Sequence, residues 1–430
     1  MFDAATQMEA QSLYRRFMPL GMIIQSLLDV DFYKFTMGLL IWRLHKDVPV
    51  TFRFTNRTKR IKLAKHINIK ALREQLDHVR TLTFTKTELH YLRGTNEYGE
   101  RMFDEGYLEY LSTIRMPPYR LLVEDGQYLL EFSGPWLAVS LWETLSLSIM
   151  NELYYRSRME KMSFAEREAV FAEGIKRLMH KIALLKANPE LRFSDFGTRR
   201  RFSREWQMFV DHMLHLEVPN QFVGTSNTWI AQLLSLLPMG TSAHEMFMVY
   251  SGIYHKNNDD IRGSHNKMLQ DWWDVYGYGL SIALTDTYGS NFFFEDFTPE
   301  QARKWKGLRH DSGDPFEFGR RAIAFYKNLG IDPREKMIVF SDGLDIDLIL
   351  ALWKEFRGQI KITFGWGTTL TNDMGFETLS LVVKAAIANG YGLVKLSDNL
   401  AKAMGPSVDV IELFKLIFGH TVTLVRECVV

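Results

Sequence analysis

At 430 residues, 46% hydrophobic and 24% charged, the chain has the composition of a globular protein of about two or three domains, not of a disordered one. Lys and Arg total 52 against 51 Asp and Glu, so no global field draws the chain to nucleic acid or an anionic membrane, and any anion must be held by a local cluster. The single cysteine, Cys428, excludes a disulfide framework and a multi-cysteine metal site and fits a reducing, cytoplasmic setting.

From the N-terminus, Phe17 to Ile24 is a short apolar run. It leads into Asp29 and Asp31 rather than a small-residue cleavage site, and it reads as a buried segment, not a signal peptide. Val50 to Thr55 alternates with period two, as does Tyr128 to Phe132 more weakly, which predicts strands. Between them the basic run Arg57, Lys59, Arg60, Lys62 and Lys65 reads as a solvated helix face, with a phosphate patch as the alternative. The longest apolar stretch, Pro135 to Tyr155, is broken by Glu143 and by serines and does not span a membrane. Ser163 with Glu166 forms a capping box for a helix over 164–186, and Pro189 lies just past its end.

The rhythm then changes. Leu280 to Thr285 reads as a strand ending at Asp286, and Pro299 takes the first position of a helix. Strands follow at Gly307 to Asp311, Lys336 to Ser341 and Ile360 to Phe364, with helices between them at Phe318 to Leu329 and Asp345 to Arg357. Alternating β and α predicts parallel strands with crossover helices. The polar tips Asp286, Asp311, Asp342 and Gly365 are 25, 31 and 23 residues apart, about one βα unit each. Earlier tips at Phe196-Gly197, Gly224-Thr225-Ser226 and His244-Glu245 extend the series. Such a series favours an α/β barrel, whose tips converge on one catalytic face, over an open doubly wound sheet.

Five of these strings carry chemistry. Asp195-Phe196-Gly197-Thr198-Arg199-Arg200-Arg201 puts three arginines after a glycine turn, a pattern that suits phosphate oxygens, or else a plain surface loop. Arg309-His310-Asp311-Ser312-Gly313-Asp314 packs a cation, two carboxylates, a hydroxyl and a histidine into one turn, which suits ribose hydroxyls or Mg²⁺. Ser341-Asp342-Gly343 and Gly365-Trp366-Gly367-Thr368-Thr369 are successive tips. The second is a phosphate cradle without the Gly-Lys-Ser/Thr of a Walker A loop. Gly240-Thr241-Ser242-Ala243-His244-Glu245 sets a histidine beside a carboxylate. Such a histidine accepts a phosphoryl group if one ring nitrogen is free and the other is held.

Taken together, and with Asp31-Phe32-Tyr33-Lys34, Phe132-Ser133-Gly134-Pro135 and Val394-Lys395-Leu396-Ser397-Asp398, these strings resemble nicotinate phosphoribosyltransferase over nearly the whole chain. The resemblance is to the type II class, in its bacterial form; the type I signature of two acidic residues and a Thr-rich loop is missing. It implies an irregular, TIM-like α/β barrel over 156–389 and a second α+β domain over 1–155, joined by 390–430. It implies the union of nicotinate with 5-phosphoribosyl 1-diphosphate to give nicotinate mononucleotide and diphosphate, with ATP as co-substrate and Mg²⁺ on the leaving diphosphate.

Residue by residue, the resemblance makes His244 the phosphorylated group, with Glu245 and Asp286 holding its ring. Arg199 and Asp311 would bind the donor on phosphate and ribose, and Ser341, Asp342, Gly367 and Thr368 its 5-phosphate end. Phe196 would stack on one face of the pyridine and Tyr33, from a neighbouring subunit of a homodimer, on the other, while Arg309 pairs with the carboxylate. Nicotinamide-using relatives carry Asp after Gly-Thr, where this chain has Ser226. An Asp repels a carboxylate and a Ser donates to it, so Ser226 favours the acid. The competing readings are a nicotinamide phosphoribosyltransferase and a non-catalytic nucleotide sensor. The Mg²⁺ ligands and the tail from Leu424 to Val430 are not fixed by the sequence.

Overall fold

A computed structural model describes residues 12–97 and 100–426, so Cys428 and the last residues of the tail lie outside the described residues. Two sheets organise the chain. The larger has seven strands, in the order Leu237–Pro238, Phe222–Thr225, Phe193–Asp195, Lys361–Trp366, Met337–Phe340, Gly307–His310, Ile282–Leu284. All of its pairings are parallel. Read from Phe193–Asp195 in chain order, the strands run outward to Leu237–Pro238. They resume at the far edge and return to pair with the strand that began the series. This is the circular order of a barrel with one break, between Leu237–Pro238 and Ile282–Leu284. The sheet therefore curls as a half-barrel, as the series of polar tips predicts.

The second sheet is antiparallel, ordered Tyr391–Gly392, Leu381–Ala388, Pro49–Asn56, Gln127–Pro135, Tyr119–Glu124. Pro49–Asn56 has the burial alternation its period-two pattern predicts. Leu381–Ala388, inside the 156–389 span expected for the barrel, pairs with Pro49–Asn56 in this sheet instead.

Helix starts follow local chemistry. The helix Phe164–Lys186 begins at the Ser163–Glu166 capping box, and Pro299–Lys304 begins at a second box formed by Thr298 and Gln301. The basic run after Arg57 is not a helix face; only a single 3₁₀ turn, Leu63–Lys65, forms there. The stretch from Pro135 becomes two buried helices, Trp136–Ser140 and Trp142–Met159. Among the described residues no helix is long and apolar enough to cross a membrane.

Several links hold the N-terminal segment onto the barrel's functional end, and Asp31 and Asp29 carry two of them. Asp31 forms an isolated β-bridge with Asn227, and Asp29 makes a fully buried bidentate pair with Arg201, at 2.6 and 2.7 Å. Most aromatic side chains pack the core, including Trp136, Trp142, Trp206 and Trp366.

Candidate active site

Six barrel strands deliver side chains to one end. Phe196 and Arg199 follow Phe193–Asp195, and Ser226 follows Phe222–Thr225. Asp286 and Thr287 lie just past Ile282–Leu284, and Asp311 follows Gly307–His310, the strand that carries Arg309. Ser341 and Asp342 follow Met337–Phe340, and Gly367 and Thr368 follow Lys361–Trp366. His244 arrives differently: it is the first residue of a helix, His244–Ile253, not a strand tip.

Two cavities meet here. The larger, about 970 Å³, is lined at this end by Tyr33, Phe196, Arg199, Ser226 and Arg309, and it continues down the inside of the half-barrel past Val339 and Ile362. The smaller, about 110 Å³, is lined by His244, Asp311, Ser341, Asp342, Gly367 and Thr368. Five further cations surround it: Arg57, Arg200, Lys384, Lys395 and Lys402. Phe196, Arg199 and Arg309 line both, so a flat-ring space opens directly onto a cationic one.

His244 is 4% exposed. Its Nδ1 lies 2.9 Å from Thr287 Oγ1, and its Nε2 lies 2.8 Å from Asp311 Oδ2 and 2.9 Å from Lys395 Nζ. Burial, helped by the Lys395 ammonium, pushes its pKa down to about 4, so the ring is neutral at pH 7. Asp286 stands farther off, at 3.7 Å from Nε2, and accepts from Ser312 at 2.5 Å. The expected role of Glu245 on this ring does not hold. Its carboxylate turns the other way, to Lys34, to Ser140 at 2.6 Å and to the Trp136 indole at 3.2 Å. Successive residues at a helix start point about 100° apart, so a pair adjacent in sequence need not share a partner.

Arg309 donates to Ser341 at 2.8 Å and to Asp311 at 3.2 Å, with its guanidinium carbon 5.6 Å from the Phe196 ring centre. Asp311, expected on the ribose, thus bridges Arg309, Ser341 and His244. Asp342 is paired with Lys402. Of the three arginines, Arg201 is buried with Asp29, Arg199 lies 3.0 Å from Asp31 and 3.5 Å from Glu143, and Arg200 lines the smaller cavity with its pKa pushed down to about 10 by burial.

Two further residues of the larger cavity have defined neighbours. Tyr33 of this same chain lines the cavity with Phe196. Gly240 packs so closely on it that a Cβ there would lie 2.7 Å from the Tyr33 nitrogen. Ser226 donates its proton to Asp31, at 2.7 Å, and not into the cavity.

The donor set of His244, Asp286 and Asp311 lies within 4.8 Å, a spacing that could hold a metal ion. The Lys395 ammonium stands 2.9 Å from His244 and 3.4 Å from Asp286, however, and a divalent cation there would meet that fixed charge. The residues do not fit a resident metal.

A model of the nicotinate phosphoribosyltransferase family matches residues 191–421, and a model of that family's N-terminal domain matches residues 28–151. The chain belongs to the nicotinate phosphoribosyltransferase family. It is similar to the crystal structure of nicotinate phosphoribosyltransferase from Vibrio cholerae, with 33% identity over 94% of this chain and 96% of that one and a TM-score of 0.82. It is also similar to that from Porphyromonas gingivalis, with 32% identity over 92% of this chain and all of that one and a TM-score of 0.81.

In this family member the site includes groups that motif reading passed over. Thr287 directly follows Asp286, and Lys395 lies inside the Val394–Asp398 string, so both stood next to residues already singled out. Arg57 belongs to the basic run whose phosphate reading was set second. Lys384 is the one charged residue of the otherwise apolar strand Leu381–Ala388, and that is the local signal that could have found it.

Proposed function

We propose that this chain joins nicotinate to 5-phosphoribosyl 1-diphosphate, releasing nicotinate mononucleotide and diphosphate, and couples the reaction to ATP hydrolysis through phosphorylation of His244. The observation that carries the reading is the junction of the two cavities at Phe196, Arg199 and Arg309. A pyridine acid fits the first: Phe196 and Tyr33 offer ring faces, and Arg309 a positive charge for the carboxylate. A diphosphate-bearing sugar fits the second, where Arg57, Arg200, Lys384, Lys395 and Lys402 supply charge for its phosphates and Gly367 and Thr368 close one end.

The chemistry breaks the bond from the ribose anomeric carbon to the diphosphate and forms one to the pyridine nitrogen. Holding the base at the cavity junction sets that nitrogen in line with the leaving group, which is most of what a protein has to supply for such a displacement. The leaving diphosphate departs into fixed cations that need no reorganisation. Mg²⁺ enters with the diphosphate as part of the substrate and neutralises its charge. A neutral His244 has one unprotonated ring nitrogen; Thr287 holds Nδ1 while Asp311 and Lys395 hold Nε2, and one of these contacts must give way for the phosphoryl group of ATP to reach its lone pair.

Incubation of the purified protein with nicotinate, the donor and Mg²⁺, with and without ATP, tests the proposal. Nicotinate mononucleotide should form in both cases and faster with ATP. No nucleotide under either condition overturns it.

A further inference from the structure

Asp31 is a buried carboxylate, 1% exposed, on the wall of the large cavity beside Ser226, Arg199 and Tyr33. Its Oδ1 accepts from Ser226 Oγ at 2.7 Å. Its Oδ2 lies 3.0 Å from Arg199 Nε and accepts from Thr144 Oγ1 at 3.3 Å. Both oxygens are therefore covered by donors, and the charge is matched by an arginine. The loop that carries Ser226 is pinned on both sides: its N–H donates to the Asp195 carbonyl and its carbonyl accepts from the Phe32 N–H, each at 2.7 Å. The hydroxyl thus stays aimed at Asp31, and a hydroxyl has one proton to give. Nothing remains of it to donate to a carboxylate in the cavity.

We infer that Asp31 sets the choice between the pyridine acid and its amide, and that Ser226 acts through Asp31 rather than on the base. The inference rests on the proposed nicotinate chemistry. A bare carboxylate on this wall accepts from a carboxamide N–H and repels a carboxylate. Covered by Ser226, Arg199 and Thr144, Asp31 keeps at most one of its four acceptor positions for an amide and has no uncompensated charge to turn away the acid. Ser226 and Asp31 are then positioning and specificity residues, and the selection works by withholding a partner from the wrong base.

The test is binding and turnover of both bases by S226A, S226T, D31N and the S226A/D31N pair. Removing the Ser226 hydroxyl uncovers Oδ1. S226A should therefore bind nicotinamide about tenfold tighter and show a KM for nicotinate about tenfold higher, the size of one hydrogen bond to a charged group. S226T, which keeps the hydroxyl, should retain the wild-type ratio. With Asp31 neutralised, adding S226A should change the acid-to-amide ratio by no more than about twofold, because the mutated pair acts as a unit. If Ser226 touches the base directly, S226A weakens both bases or leaves nicotinamide unchanged, and its effect is the same in the D31N background; either result overturns the inference. The first criterion needs only the conservative S226A, so it stands even if D31N does not fold. Wild-type protein that turns over neither base would instead refute the proposed function.

Discussion

At the scale of single residues, His244 and Lys384 carry the sharpest expectations. H244A should abolish ATP hydrolysis while leaving a slower, ATP-independent transfer, because the rings that line the larger cavity and the seven cations that line the smaller one all remain when the imidazole is removed. ADP release and nucleotide formation, followed in parallel, check this; ATP hydrolysis that survives unchanged would show that the histidine carries no phosphoryl group. Burial holds the Lys384 pKa down to about 8, against the pull of Glu143 at 3.3 Å. The lysine is charged below that pH and loses its proton above it, so the donor phosphates lose one partner as pH rises. The donor KM should therefore climb as pH passes about 8, and K384R, which stays charged, should flatten the rise. Residue identities at the site were largely legible in the sequence, but their partners were not. Glu245 pairs with Lys34 and Ser226 with Asp31, across some two hundred residues of chain, and no local pattern encodes such contacts.

At the scale of elements, the rules that worked are the ones with a short physical range. The Ser163–Glu166 capping box, the helix start at Pro299, the alternation of Pro49–Asn56 and the parallel strands with polar tips were readable because each depends on a few neighbouring residues. The failures have the opposite origin. Leu381–Ala388 follows the barrel strands in sequence, yet it pairs with a strand more than three hundred residues earlier. The basic run after Arg57 has the composition of a solvated helix, but its backbone is tied elsewhere, with the Arg57 N–H on the Ser380 carbonyl. Gly365 gives a test of how tightly the strand ends set the site. A Cβ at this position would overlap the Phe196 ring. G365A should therefore displace the ring and raise the nicotinate KM about tenfold, with a much smaller change for the donor, because misplacing a positioning group by a fraction of an ångström is costly. Steady-state kinetics with each substrate varied in turn separate the two effects.

At the scale of the whole molecule, a near-neutral chain binds a highly charged substrate by local means. Seven Lys and Arg side chains line the smaller cavity, and the carboxylates of Glu143, Asp311 and Asp342 sit among them. The two sheets meet at the site, and the buried Asp29–Arg201 pair is one of the ties that hold the N-terminal segment there. R201A leaves Asp29 buried without its cation and should destabilise the fold by about 3–5 kcal/mol, read from denaturant midpoints. Since Tyr33 and Phe196 line one cavity within one chain, mixing Y33A protein with F196A protein should restore no activity, whereas a site shared between subunits would regain part of it. The most direct measurement is a crystal structure with nicotinate bound. The pyridine ring should lie between Phe196 and Tyr33 of the same chain, with its carboxylate toward Arg309 and its nitrogen facing the cavity of His244 and Lys395. A ring bound elsewhere, or one covered by a second molecule's tyrosine, would contradict this account.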